Sequence, residues 1–197
     1  MRRPVQQAAM LLATLAFSAC ATLSDTSLHV AFEKNRRREG YRRVAVVLED
    51  YYYCHPPTHQ VFRVPRGFET DFASIPAWAS AAIPPIGDGA EAAVVHDWLY
   101  AVGAPGGRDE ADAIFLYGLR QGRVGDLQAR LMYEAVRAGG GGAYGAPGEW
   151  RFVDPETEKP VAAPPKPKSP VVAVLNSCEE LPKALPRLRI SRASGLG

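Results

Sequence analysis

The chain has 197 residues, of which 47% are hydrophobic and 22% charged, with a formal net charge of +2. That length and balance suit one domain with appendages and argue against two full domains. So small a net charge also argues against the broad basic footprint of a nucleic-acid-binding protein.

The chain opens with a positive pair, Arg2 and Arg3, then an apolar run over Ala8–Phe17 and the small residues Ser18 and Ala19. This is the layout of a secretory signal, and the apolar run is too short to span a bilayer, which takes about 20 residues. Phe17-Ser18-Ala19-Cys20 resembles the lipobox of bacterial lipoproteins, with phenylalanine in the place usually held by leucine. The expectation is an exported lipoprotein of the bacterial cell envelope, periplasmic or outer-membrane, acylated on Cys20 and held at the membrane by that anchor. Loss of Arg2 and Arg3 with the leader leaves 21 basic against 21 acidic residues. Residues 21–40 form a basic segment, and Lys34, Arg36, Arg37, Arg38, Arg42 and Arg43 cluster where they can meet anionic headgroups or simply face solvent. With Cys20 acylated, Cys54 and Cys178 remain, an even pair in a compartment that permits disulfides. They read equally as a bridge or as two unrelated thiols.

A single globular domain is expected over 41–153. Tyr41–Tyr53 is β-branched and aromatic, as strands are, His55-Pro56-Pro57-Thr58 breaks it, and Gln60–Val64 returns. Pro65-Arg66-Gly67 is a turn, Phe68–Ile75 runs extended, Pro76–Ala82 is helical, and Ile83–Gly87 is a rigid loop. Asp88 is placed to cap the next helix. That helix, Ala90–Tyr100, is apolar nearly all round and therefore buried, yet holds His96 and Asp97 side by side. At 100° per residue His96 shares a face with Ala92, Ala93, Leu99 and Tyr100, while Asp97 points to the flank. A second helix over Arg108–Leu119, capped by Asp109, puts Asp112 on the stripe of Phe115, Leu116 and Leu119. Two antiparallel helices meeting through a His96–Asp112 contact are expected, because buried ionisable groups are costly unless paired. A third helix, Asp126–Ala138, carries Leu127, Leu131 and Ala135 on one stripe with Met132 and Val136 alongside, and stops at Gly139–Gly142; Tyr144–Val153 returns extended. Residues 154–197 hold eight of the 17 prolines from Pro155 on and no aromatic residue, so most of this tail should be extended or disordered, with Val171–Leu175 a weak edge strand. The fold class is α+β: a small antiparallel strand pair followed by a three-helix unit.

Four ordered blocks, VPRGFETDFASIP (64–76), AAVVHDWLY (92–100), DEADAIF (109–115) and RLMYEAVR (130–137), resemble the bacterial and phage domain of unknown function 1353 over roughly Tyr41–Trp150. The pattern A-A-x-x-H-D-x-x-Y followed by A-D-x-x-F resembles the catalytic helix pair of phospholipase A2. That resemblance implies His96 as general base for a water, Asp112 orienting its ring, Tyr100 supporting it, Asp97 binding calcium, and a phospholipid substrate. Asp71 is a further metal-ligand candidate beside Asp97. The family's glycine-rich calcium loop and its cysteine framework have no clear counterpart; Ile86-Gly87-Asp88-Gly89 lies in about the right place but is shorter and differently spaced. The competing expectation is a non-catalytic envelope or phage-derived module whose His96–Asp112 bond only fixes the helix pair. Ser74 is a conceivable nucleophile with His96, but no G-x-S-x-G elbow surrounds it. Cys54, His55 and His59 have a spacing that zinc uses, without an evident fourth ligand.

Overall fold

The computed structural model describes residues 27–38, 42–72, 87–103 and 107–193. Cys20 and the leader, Ser74, the Pro76–Ala82 helix and most of the loop after it lie outside the described residues. Among the described residues no helix is long and apolar enough to cross a membrane.

The fold is α+β. Strands β1 (Val30–Arg38), β2 (Arg42–Val47) and β5 (Glu69–Thr70) form one antiparallel sheet in the order β1-β2-β5. Strands β3 (Tyr51–His55), β4 (Gln60–Val64) and β6 (Val171–Val174) form a second, in the order β3-β4-β6. The expected single strand over Tyr41–Tyr53 is therefore two strands in two sheets, parted at Leu48–Asp50. The return after the Pro56-Pro57 break is as the sequence suggests, with Tyr51 opposite Val64 and His55 opposite Gln60. The basic segment is also not a plain tether, since its backbone supplies all of β1, pairing Val30 with Val47.

Helices α1 (Ala90–Val102), α2 (Gly107–Gln121) and α3 (Asp126–Gly139) come next in order. Helix α1 ends at Gly103, whose φ of 63° is the left-handed cap that only glycine adopts cheaply, with its N–H bonded to the Leu99 carbonyl at 3.0 Å. Its N-cap is Gly89 with no side-chain cap bond, not the expected Asp88. On α3 the buried residues are Ala129, Met132, Ala135 and Val136, whereas Leu127 and Leu131 are 75% and 49% exposed. The expected stripe is thus rotated, because Leu127 and Leu131 lie on the solvent side of the Ala135 row.

The β3–β4–β6 sheet is covered on both faces, which explains why Tyr51–Cys54 is apolar without a break. Alternate side chains of a strand point to opposite faces. Tyr51, Phe62 and Val64 join the main core with Phe68, Trp98, Phe115 and Leu119. Tyr52, Cys54 and Val61 face the other way and form a second cluster with Leu181 and Leu185. Those leucines belong to α4 (Leu181–Ala193), which lies in the tail. Residues 161–167 have no regular structure and are exposed, in line with a proline-rich segment. The end of the tail departs from that expectation, because β6 adds to β4 and a Cys54–Cys178 disulfide fastens the start of α4 to β3.

Candidate active site

Ten of the thirteen residues of α1 are buried, so whatever polar chemistry it carries sits inside the protein. The α1–α2 approach is set by small residues. A Cβ on Gly118 would stand 2.8 Å from the Ala92 Cβ, so the glycine of α2 and the alanine of α1 must both stay small. At this separation His96 Nε2 lies 2.9 Å from Asp112 Oδ1, with His96 3% and Asp112 0% exposed. The Tyr100 hydroxyl, one turn along α1, donates to the same Oδ1 at 2.7 Å. The imidazole is held between Tyr100 and Phe115, with ring centroids at 4.1 and 4.7 Å. The sequence-derived trio His96, Asp112 and Tyr100 is one constellation.

Arg108 extends it. Its Nε–H donates to the Tyr100 hydroxyl at 3.0 Å and lies 3.7 Å from Asp112 Oδ2, while its terminal nitrogen donates to the carbonyls of Val136 and Arg137. An arginine of α2 thus caps the C-terminal carbonyls of α3. Sequence reasoning assigns Arg108 no role, although its place four residues before Asp112 on one helix is an ion-pair spacing. Gly140 completes the seat: a Cβ there would meet the Tyr100 ring and hydroxyl at 2.8 Å.

Electrostatics fix the proton. Burial would raise the Asp112 carboxyl, but hydrogen bonds from His96 and Tyr100, with the nearby positive charge of Arg108, bring it below its ordinary value. Burial lowers His96, and this outweighs the opposing pull of Asp112. Near neutral pH the carboxylate is therefore ionised and the imidazole neutral. An ionised carboxylate only accepts, so the ring proton sits on Nε2 and the Nδ1 lone pair is free. Nδ1 is buried and has no hydrogen-bond partner.

Asp97 and Asp71 also come together, but through hydrogen bonds. Asp97 Oδ2 accepts from the Thr70 hydroxyl at 2.5 Å and from the Asp71 N–H at 3.2 Å. The Thr70 hydroxyl in turn accepts from the Phe72 N–H at 3.1 Å. Phe72 has a φ of 61°, a left-handed backbone that a bulky residue adopts only when its surroundings enforce it. Thr70 is the residue that sequence reasoning misses, and its position inside the TDF block is the only signal for it. Calcium takes six to eight oxygens, and among the described residues no group of three or more His, Cys, Asp or Glu gathers here. Cys54 is not a zinc ligand, because its sulfur is in the disulfide.

No curated protein and no solved structure matches the chain. One family model does, that of a protein family of unknown function, DUF1353, over residues 45–136. The matched segment contains Thr70, Asp71, His96, Asp97, Tyr100, Arg108 and Asp112, and ends before Arg137 and Gly140. Over this segment the chain is similar to the DUF1353 family.

Proposed function

We propose that this chain is an exported, lipid-anchored protein of the bacterial cell envelope whose domain hydrolyses an ester, with phospholipid as the substrate class. The observation that carries the hydrolytic reading is the unpartnered, buried Nδ1 of His96. Leaving such an atom unpaired costs about 1–3 kcal/mol, and the acceptor lies on a ring whose other nitrogen is held by a carboxylate. A neutral imidazole oriented in this way is a general base. In the reaction Nδ1 takes a proton from a water whose oxygen forms the new bond to the ester carbonyl carbon. Asp112 stabilises the imidazolium formed. The tetrahedral intermediate then expels the alcohol, which leaves with the proton from Nδ1. Asp97 holds the Thr70–Phe72 turn against α1, and no step is assigned to calcium.

The test is fatty-acid release from phosphatidylglycerol vesicles by the full chain, with calcium and with a chelator. His96→Asn should lose activity by about 10²–10⁴-fold with an unchanged circular dichroism spectrum; unchanged turnover in that variant overturns the mechanism. A second reading has its own support. The ring is almost wholly covered, and its network runs through Arg108 into the end of α3, as expected of a bond that only ties three helices in a non-catalytic envelope module. Under that reading no vesicle or ester substrate is turned over, and the same substitution costs stability alone.

A further inference from the structure

A cavity of about 200 Å³ lies away from the dyad, between β4, the other side of the α1–α2 pair, and the tail. Phe62, Leu99, Ala111 and Ile114 make its floor. The tail closes one side with Ser169, Pro170 and Val171, while Gln60, Glu110 and Tyr144 stand at the polar rim. None of His96, Asp97 or Asp112 lines it, although Leu99 and Ala111 adjoin Tyr100 and Asp112 in sequence.

Three properties define what fits. The first is size: an apolar cavity of about 150 Å³ holds benzene, so this one has room for a single ring and a short polar arm. The second is charge. The lining contains one carboxylate, Glu110, and no lysine, arginine or histidine, and Glu110 enters none of the ion pairs among the described residues. The third is that the tail-side wall is built in place. Val61 pairs with Ala173, the Cys54–Cys178 disulfide lies a few residues further on, and the Trp150 indole N–H donates to the Pro164 carbonyl at 2.8 Å.

We propose that this cavity binds a small organic ammonium ion with one ring or a short alkyl body. The apolar body rests on Phe62, Leu99 and Ile114. The ammonium lies at the rim against the Glu110 carboxylate, with the Ser169 hydroxyl and the Gln60 amide oxygen as neutral acceptors. This assignment is independent of the hydrolytic reading, since the cavity needs no contribution from His96.

The experiment is a methyl NMR titration of the full, disulfide-intact chain with benzylammonium, benzyl alcohol and phenylacetate. Benzylammonium should shift the methyl resonances of Leu99, Ile114 and Val171 and bind up to about fivefold tighter than the alcohol, the upper end for an exposed ion pair. Phenylacetate should bind most weakly. Glu110→Gln, a change at the cavity rim, should abolish the preference for benzylammonium and leave the alcohol unaffected. The proposal is overturned if those methyls do not move, if phenylacetate binds as well as benzylammonium, or if Glu110→Gln keeps the preference.

Discussion

Two regions of this protein bring separate segments together by opposite means. The His96–Asp112 contact joins residues sixteen apart on successive helices through buried polar groups. The tail clasp joins Cys54 to Cys178, 124 residues apart, through a covalent bond inside an apolar cluster of Tyr52, Val61, Leu181 and Leu185. The polar junction depends on every member being present in the right protonation state. The clasp depends on oxidation and on packing. If the first is a site and the second a fastening, they should respond to different perturbations.

The largest effect is expected from Asp112→Ala. It strips the acceptor from the His96 N–H and the Tyr100 hydroxyl and leaves Arg108 facing a buried void. Leaving those two buried donors unsatisfied costs about 1–3 kcal/mol each, read as a lower urea midpoint. A loss below about 1 kcal/mol would mean that the junction is peripheral to the fold. Reducing the disulfide comes next. Removing a native bridge costs about 2–5 kcal/mol, and hydrogen exchange should quicken in β6 and α4 while α1 and α2 keep their protection. Equal quickening in both regions would show that the clasp supports the whole domain and would erase the contrast.

The two regions are also unequally legible in the sequence. The polar junction is visible because a histidine and an aspartate interrupt two apolar helices at matching faces. Helical periodicity alone then brings them together. Its outer members are harder to see. Arg108 reaches α3 only because α2 and α3 pack side by side, and Thr70 reaches Asp97 across a gap of 27 residues. Neither contact can be read from spacing within one element. The clasp is masked by composition: eight prolines and no aromatic residue read as an unstructured tail. Yet Val171–Val174 borrows its order from β4, and α4 borrows its from the outer face of β3 and β4. Leu127 and Leu131 teach the converse, since an apolar row is present on α3 and the core takes the row beside it.

A smaller effect is expected from Thr70→Val, which separates positioning from packing. Valine keeps the shape but removes the donor to Asp97 and the acceptor for the Phe72 N–H, a loss of about 1–3 kcal/mol. Thr70→Ser should restore most of it. Measured by thermal unfolding, equal stability of the valine variant and the parent would show that the left-handed Phe72 is held by other contacts.

The mildest perturbation is acid, and it bears on the comparison most directly. His96 is lowered by burial, so its folded form resists protonation while the unfolded chain protonates near 6.5. Between that value and the folded pKa the unfolded state binds more protons, and stability falls as pH falls. The groups facing the ring are Asp112 and Arg108 on α2, Tyr100 on α1 and Asp71 after β5. Asp112 is depressed, so its contribution is present above about 4 and is lost at lower pH in a second window. The disulfide does not titrate, and burial moves Tyr52 upward, away from this range. His55 on β3, next to Cys54, is buried and lowered in the same way. Lowering the pH from about 7 to about 5.5, across the unfolded histidine value, should therefore loosen α1 and α2 through His96 and the β3 side of the clasp through His55. Hydrogen exchange corrected for its intrinsic pH dependence reads both regions at once; His96→Asn should remove the α1–α2 part of the window and His55→Asn the β3 part. Loosening of β6 and α4 that persists in His55→Asn would couple the clasp to the junction and make the two regions one unit.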